Sequence, residues 1–390
     1  MKKILIIISF LLCLTGCYNY KELNDYAIAT GMSIDLNNEG YEVSFLISNS
    51  PKSNISSSHD YRTVIYSGSG KTIYECIKKI GMISPKELYI GHLSIILISE
   101  DVAKKGINES IDFLLQEPRS KKNFYIALTK DNKAKDVLAI TSPLTDFPSQ
   151  NLSSNLKTTS QLQGAIIATD FNKLLYNTVN FGTDIYLSGF KIKGDKKDGS
   201  NQENIESNNP KAYVELTPLA LFKNNKLISW TTFNESKGIN IINDNINNAY
   251  FTIKYKKGYV VVETDKLKTN LIIKKNKDVY IKTTGKASIN EITCNIDLKD
   301  QKELKKIEKK IEEKIKKLEL KAINITKKYN SDVFATELKY YRNYQKEYNK
   351  IKNWKDIYKD INFNTNVDIK LNATGSITQS LERSNNEKNN

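Results

Sequence analysis

Seventeen residues at the N-terminus constrain this chain more than any other stretch. Lys2 and Lys3 precede an apolar run, Ile4–Leu14, and Leu14-Thr15-Gly16-Cys17 closes it. That order is a basic n-region, a short h-region and a small-residue processing site. The apolar run holds eleven residues, about half of the roughly twenty that a spanning helix needs. The pattern predicts a lipoprotein signal peptide over residues 1–16, cleavage before Cys17, and acyl chains on that cysteine. Each buried acyl methylene contributes ~0.8 kcal/mol, and stable anchoring takes more than one chain. Everything after Cys17 is then expected outside the cytoplasm, against a membrane surface.

No later segment approaches spanning length, so residues 18–390 are expected to form a soluble ectodomain. A chain of 390 residues exceeds one ordinary core, and roughly two or three domains follow. Hydrophobic residues make up 39% and charged residues 26%, a balance suited to globular domains and unlike that of a disordered chain. The formal charge is +15, and loss of Lys2 and Lys3 with the leader lowers it by two. Arginine occurs only at Arg62, Arg119, Arg342 and Arg383. Bidentate phosphate recognition favours arginine and export removes the chain from nucleic acid, so no nucleic-acid partner is expected. The lysines suit either a face near anionic headgroups or a solvated surface. Cys76 and Cys294, without any CxxC spacing, make neither a disulfide framework nor a zinc site.

Along the chain, Tyr26–Leu36 and Glu42–Ser48 read as a strand hairpin, and Thr63–Ser67 as a further strand. Thr72–Ile83 has helical spacing. Leu88–Ser99 is an almost unbroken apolar run that reads as one buried central strand. Ile107–Leu115, Phe124–Thr129 and Ala134–Ile140 continue an alternation of helix and strand, which predicts an α/β N-terminal domain over 17–155. Ser142–Ser160 reads as a connection. A middle α/β domain, 156–245, holds a helix capped at Thr169-Asp170, a strand at Ile185–Ile192, a mobile loop over Gly194–Pro210, and a hairpin turning at Lys223-Asn224-Asn225-Lys226.

The C-terminal domain, 246–382, reads as α+β: antiparallel hairpins, then a long helix on the stripe Leu304, Ile307, Ile311, Ile315 and Leu318. A second helix from about Val333 to Tyr348 and an alternating strand, Phe363–Leu371, complete it. A tail at 383–390 is expected to be disordered. The fold class is thus α/β and α+β, multi-domain (about three), with mixed sheets and packed helices.

Catalytic chemistry is not visible, and no cofactor or metal ligand set is expected. Gly68-Ser69-Gly70-Lys71-Thr72 resembles a phosphate-binding loop, but the motif's first glycine falls at Ile65. A tight strand-to-helix turn explains it. The two histidines are His59, in a Ser/Asn-rich loop, and His92, expected as a satisfied core residue. Asp297 and Asp300 lie on a lysine-rich surface that would not raise a carboxyl pKa.

Several fragments in order resemble the Ger(x)C lipoproteins, the C subunits of nutrient germinant receptors in bacterial endospores. They begin at Gly16-Cys17-Tyr18, with Glu22-Leu23, Asp25, Ala27, Gly31 and Asp35. They continue through Gly70-Lys71-Thr72-Ile73-Tyr74-Glu75, Gly91-His92-Leu93, Asp112-Phe113-Leu114 and Pro118-Arg119. Later come Asp170-Phe171, Leu219-Ala220-Leu221-Phe222 with Leu227, Glu235-Ser236-Lys237-Gly238, the lysine-rich helix, Trp354 and Thr374-Gly375. Tyr18 stands where the family usually carries tryptophan. The resemblance implies a three-domain ectodomain lipidated at Cys17 and held on the outer leaflet of the spore inner membrane. It also implies a non-catalytic subunit that docks with an A subunit and a transporter-like B subunit to support germination signalling. An independent solute-binding lipoprotein is the competing reading, signalled by a deep cleft lined with aromatic and convergent polar groups. A cell-wall hydrolase would need paired carboxylates in a groove.

Overall fold

The computed structural model describes Glu22 and residues 25–48 and 63–372. The expected leader and Cys17, the Ser/Asn-rich segment with His59, Thr374-Gly375 and the expected tail lie outside the described residues.

The first strands, β1 (Tyr26–Asn37), β2 (Gly40–Ser48) and β3 (Thr63–Gly70), form an antiparallel meander. Helix α1 (Ile73–Ile80) returns to β4 (Glu87–Tyr89), which pairs parallel with the start of β1. The turn into α1 accounts for the Gly-Ser-Gly-Lys-Thr stretch without any phosphate. Thr72 Oγ1 accepts from the Glu75 N–H at 3.2 Å, and Glu75 reaches back to accept from the Lys71 N–H at 2.9 Å. A Cβ on Gly68 would collide with the Cys76 carbonyl of the helix packed over it. Close packing requires glycine there.

Next come β5 (Ile95–Ser99), α2 (Glu100–Lys105), α3 (Asn108–Gln116), β6 (Tyr125–Thr129), α4 (Ala134–Ala139) and α5 (Pro148–Leu162). Every residue of β5 is buried, and it lies between parallel neighbours β1 and β6. Its alternation divides the core. Ile96 and Ile98 join a cluster with α1, α2 and α3, while Ile95 and Leu97 join one with α4 and α5. The result is a sheet covered by helices on both faces, the arrangement that a continuous apolar strand demands.

The chain goes on through β7 (Thr169–Asp170), α6 (Phe171–Val179), β8 (Tyr186–Gly194), α7 (Lys196–Gly199), α8 (Gln202–Glu206), β9 (Ala212–Lys223) and β10 (Lys226–Trp230). These strands extend the same sheet in the order β10-β9-β8-β6-β5-β1-β2-β3, with β4 and β7 as side pairings. Residue 155 lies inside α5, and the sheet continues past it. Helix α9 (Phe233–Ile242) leads to a second sheet, β11 (Asn248–Tyr255), β12 (Gly258–Ile273), β13 (Val279–Ile292) and β14 (Phe363–Leu371), in that order. Between β13 and β14 run α10 (Gln301–Tyr329), α11 (Thr336–Asn343), α12 (Gln345–Tyr348) and α13 (Trp354–Tyr358). The mixed, multi-domain α/β and α+β architecture expected from the sequence is present.

The apolar stripe of α10 is buried as its spacing predicts, from Leu304 and Ile307 to Leu318, Ala322 and Ile323. It packs on the second sheet and on α9. At that crossing a Cβ on Gly238 would collide with the Leu318 carbonyl, so the two helices touch backbone to backbone. A third cluster joins the sheets: Tyr186, Leu219 and Leu221 pack with Ile239, Ile281, Phe334 and Trp354.

Several local expectations are corrected. Leu88–Ser99 is two strands, because Gly91-His92 forms a turn, and His92 is exposed. Ser142–Ser160 contains α5, whose Leu152 and Leu156 supply a buried face from an otherwise polar sequence. Gly194–Pro210 forms α7 and α8. The buried Asn204 amide holds it, donating to the carbonyls of Thr141 and Ala212 at 3.1 Å each. Helix 333–348 breaks at Tyr344, whose φ of −140° is not helical. Residues 258–273 are one strand, β12, with two register shifts against β13, and β14 joins β13 in parallel, so the second sheet is not wholly antiparallel.

Candidate functional site

The chemistry-like features of the sequence prove structural. Asp297 and Asp300 serve the entry to α10, accepting the N–H groups of Lys299 at 2.9 Å and Lys302 at 2.8 Å. Cys76 and Cys294 are buried thiols in separate cores. Among the described residues no group of His, Cys, Asp and Glu is arranged to hold a metal ion. None of their helices is long and apolar enough to cross a membrane.

Geometry instead singles out one end of the first sheet. Strands β1, β4, β5 and β6 are parallel, so their starts lie at one end. The connections α1→β4 and α3→β6 are at that end too, as is Asp25, where the chain arrives from Cys17. Apolar side chains are left in water there: Met82 is 77% exposed, Ile83 56% and Leu115 50%. Lys86 and Lys121 are exposed beside them in sequence. Tyr89 stands between Tyr26 at 5.5 Å and His92 at 5.7 Å, ring centre to ring centre.

The Pro118-Arg119 turn at this end is rigidly built. Arg119 Nε donates to the buried Glu117 carboxylate at 2.9 Å, and Arg119 Nη1 sits 3.8 Å from the Glu87 carboxylate. Lys122 Nζ donates to the carbonyls of Glu117, at 2.8 Å, and Leu114. An ion pair on a half-buried turn fixes geometry more than it adds stability.

A second feature lies where the sheets meet. The Asp332 carboxylate accepts from Thr336 N–H at 3.0 Å, Thr336 Oγ1 at 2.6 Å and Glu337 N–H at 2.9 Å. Burial pushes Asp332 up to about 6, and Asp184 beside it is raised for the same reason. The adjacent cavity, about 200 Å³, is bounded by Phe181, Asn224, Trp354 and Lys355. Phe181 stacks edge-on against Tyr341 at 4.8 Å, and Tyr340 lies 5.0 Å from Trp354. The cavity is smaller than ligand pockets of about 300–1,000 Å³, and the two acids have structural work. They tie the 182–184 turn to the residues after α10, Asp332 N–H donating to Asp184 at 2.9 Å.

Two family models match most of the chain. Residues 19–192 match "Spore germination protein N-terminal domain", and residues 217–375 match "Spore germination B3/ GerAC like, C-terminal". The chain belongs to the Ger(x)C family. Among curated Ger(x)C relatives, "Spore germination protein KC" of Bacillus subtilis (strain 168) is 26% identical over 353 residues, covering 86% of this chain and 85% of that protein. "Spore germination protein GerQC" of Bacillus cereus is 25% identical over 342 residues, covering 84% and 86%. The crystal structure of the GerBC protein superposes with a TM-score of 0.52 at 16% identity, over 90% of this chain and 99% of that one. It supports the fold alone.

Several of the described residues that carry the family resemblance are architectural. Asp35 and Asp170 cap helices, Leu219–Phe222 is core strand, and Trp354 is buried. In Glu235-Ser236-Lys237-Gly238, Glu235 completes a capping box with Thr232, Ser236 accepts the Leu219 N–H at 2.9 Å, and Gly238 permits the α9–α10 contact. Lys237 serves none of these purposes. No motif announced the apolar patch at Met82, because single exposed apolar residues are common on surfaces. Only the topology brings Met82, Ile83 and Leu115 to the end where the chain enters.

Proposed function

We propose that this chain is a non-catalytic lipoprotein subunit of a spore nutrient germinant receptor, acylated at Cys17 and docked with A and B subunits. The observation that carries the reading is the end of the first sheet at Asp25, with its exposed Met82, Ile83 and Leu115 among lysines. Asp25 lies eight positions after Cys17, a reach of at most about 28 Å. Lipidation therefore brings this end to the membrane. Apolar tips flanked by lysine suit an anionic headgroup layer, and the remaining surface is left for neighbouring subunits. The names of the relatives support placement in spore germination, and the outer leaflet of the spore inner membrane is the surface this reading requires. A docking subunit transmits a signal only through contacts that differ between resting and triggered states.

The test is co-purification from spore inner membranes, wild type against Cys17→Ala. Recovery of the A and B subunits with the wild-type chain, weakened in the variant together with the nutrient response, is the expected result. A wild-type chain that comes out alone and binds a solute tightly would replace this reading with an independent solute-binding lipoprotein.

A further inference from the structure

Where α9, β11 and α10 converge, a groove of about 420 Å³ opens to solvent. Phe233 and Tyr250 form its walls and are 49% and 52% exposed, so it offers aromatic surface to water. Lys237 Nζ lies 4.7 Å from the Tyr250 ring centre and 4.9 Å from that of Phe251, and it donates to the Tyr250 carbonyl at 2.9 Å. Lys314 lines the same groove. It sits one helical turn before Leu318, at the contact that Gly238 makes possible.

The charge balance of the groove is one-sided. Burial and the neighbouring Lys314 pull the Lys237 ammonium down to about 8, and no carboxylate is among the described residues that line the groove. Two cations held together without an acid favour an anion. An ammonium has three donors, and Lys237 gives one to a carbonyl while its other neighbours are ring faces. Phosphate is the poorer candidate. Phosphate sites draw on free amides at a helix N-terminus, and in α9 the capping box of Thr232 and Glu235 occupies that end.

We propose that this groove binds a small organic carboxylate, its charge held between Lys237 and Lys314 and its apolar part resting on Phe233 and Tyr250. The volume falls in the range of small-molecule sites, which combine an apolar lining with a few converging polar groups. Charge-assisted hydrogen bonds from ammonium to carboxylate supply orientation. The site rests on the groove alone and would exist in a chain that met no receptor partner.

The test is calorimetric titration of the full-length chain in nanodiscs with benzoate, against its neutral counterpart benzamide and inorganic phosphate. Benzoate is expected to bind saturably and at least tenfold more tightly than either comparison compound. Lys237→Gln and Lys314→Gln are each expected to weaken it by on the order of tenfold to a hundredfold. Nitrogen NMR is expected to show the Lys237 ammonium titrating at higher pH once benzoate saturates the groove. Absence of saturation, equal binding of benzamide, or phosphate binding as tightly as benzoate would overturn the assignment. So would a folded Lys314→Gln variant that binds benzoate like wild type, which keeps the test decisive even if Lys237→Gln unfolds.

Discussion

The Asp35 carboxylate, on β1, accepts the backbone N–H groups of Ala134 at 2.7 Å and Lys135 at 2.9 Å, and so caps α4 from a strand about a hundred residues earlier. Lys133, at the N-cap position itself, makes no side-chain cap bond. Asp35 is 1% exposed, so these amides have no water to turn to. Asp35→Ala is expected to cost about 2–4 kcal/mol, since buried amides are stranded at a helix end. Asp35→Asn, which keeps an acceptor, should recover about half. Urea denaturation of the three proteins would measure both.

The α9–α10 crossing is intolerant of a single methyl group. Gly238→Ala drives a Cβ into the Leu318 carbonyl, which is backbone and cannot rotate away. About 3 kcal/mol is the expected loss. Gly81→Ala makes the control, because Gly81 has a right-handed helical φ of −60° and its Cβ would meet the Lys78 carbonyl at 3.2 Å. A change within about 1 kcal/mol is expected there. Thermal melts compare the pair.

Glu319, buried on α10, accepts from Thr283 Oγ1 at 2.6 Å. Burial pushes its carboxyl from 4.5 up to about 7. Between those values the folded chain holds a proton that the unfolded chain has released, so stability falls as pH rises through this window. The loss approaches about 3 kcal/mol by pH 8, and Asp332 adds to it in the same direction. Glu319→Gln is expected to flatten the dependence and to melt higher than wild type at pH 8. Melting temperatures from pH 4.5 to 8 decide this. A variant whose profile parallels wild type would refute the role of Glu319.

Met82 and Ile83 touch little of the protein, so Met82→Ser with Ile83→Ser is expected to change stability by less than about 0.5 kcal/mol. Ile80→Ser, one turn earlier and fully buried, should cost several times more through lost burial and a stranded hydroxyl. If the Asp25 end meets lipid, the double variant of the acylated chain should float less well with anionic vesicles, and added salt should weaken both proteins. Flotation equal to wild type would remove Met82 and Ile83 from the membrane contact.

The sequence made some features legible and concealed others for a definite reason. The α10 stripe repeats every three or four residues for four turns, and β5 is continuously apolar, so local pattern alone decided helix and buried strand. The cap at Asp170 was equally local, with donor and acceptor three residues apart. Asn204 read as part of a polar loop because its partners, Thr141 and Ala212, arrive from elsewhere in the chain. The polar helix α5 carries no local signal, because two leucines suffice once a sheet face is offered to them.

The α10 helix and the strands β5 and β14 were thus determined by the sequence itself, since hydrophobic spacing and capping act over a few residues. The tertiary structure alone decided that strands from both sides of residue 155 join one sheet and that β14 joins in parallel. It also decided that Asp35 caps α4, that Met82 and Leu115 share an end with Asp25, and that Lys237 and Lys314 line one groove. Each of these depends on backbone and side chains brought together across tens to hundreds of residues, where spacing carries no signal.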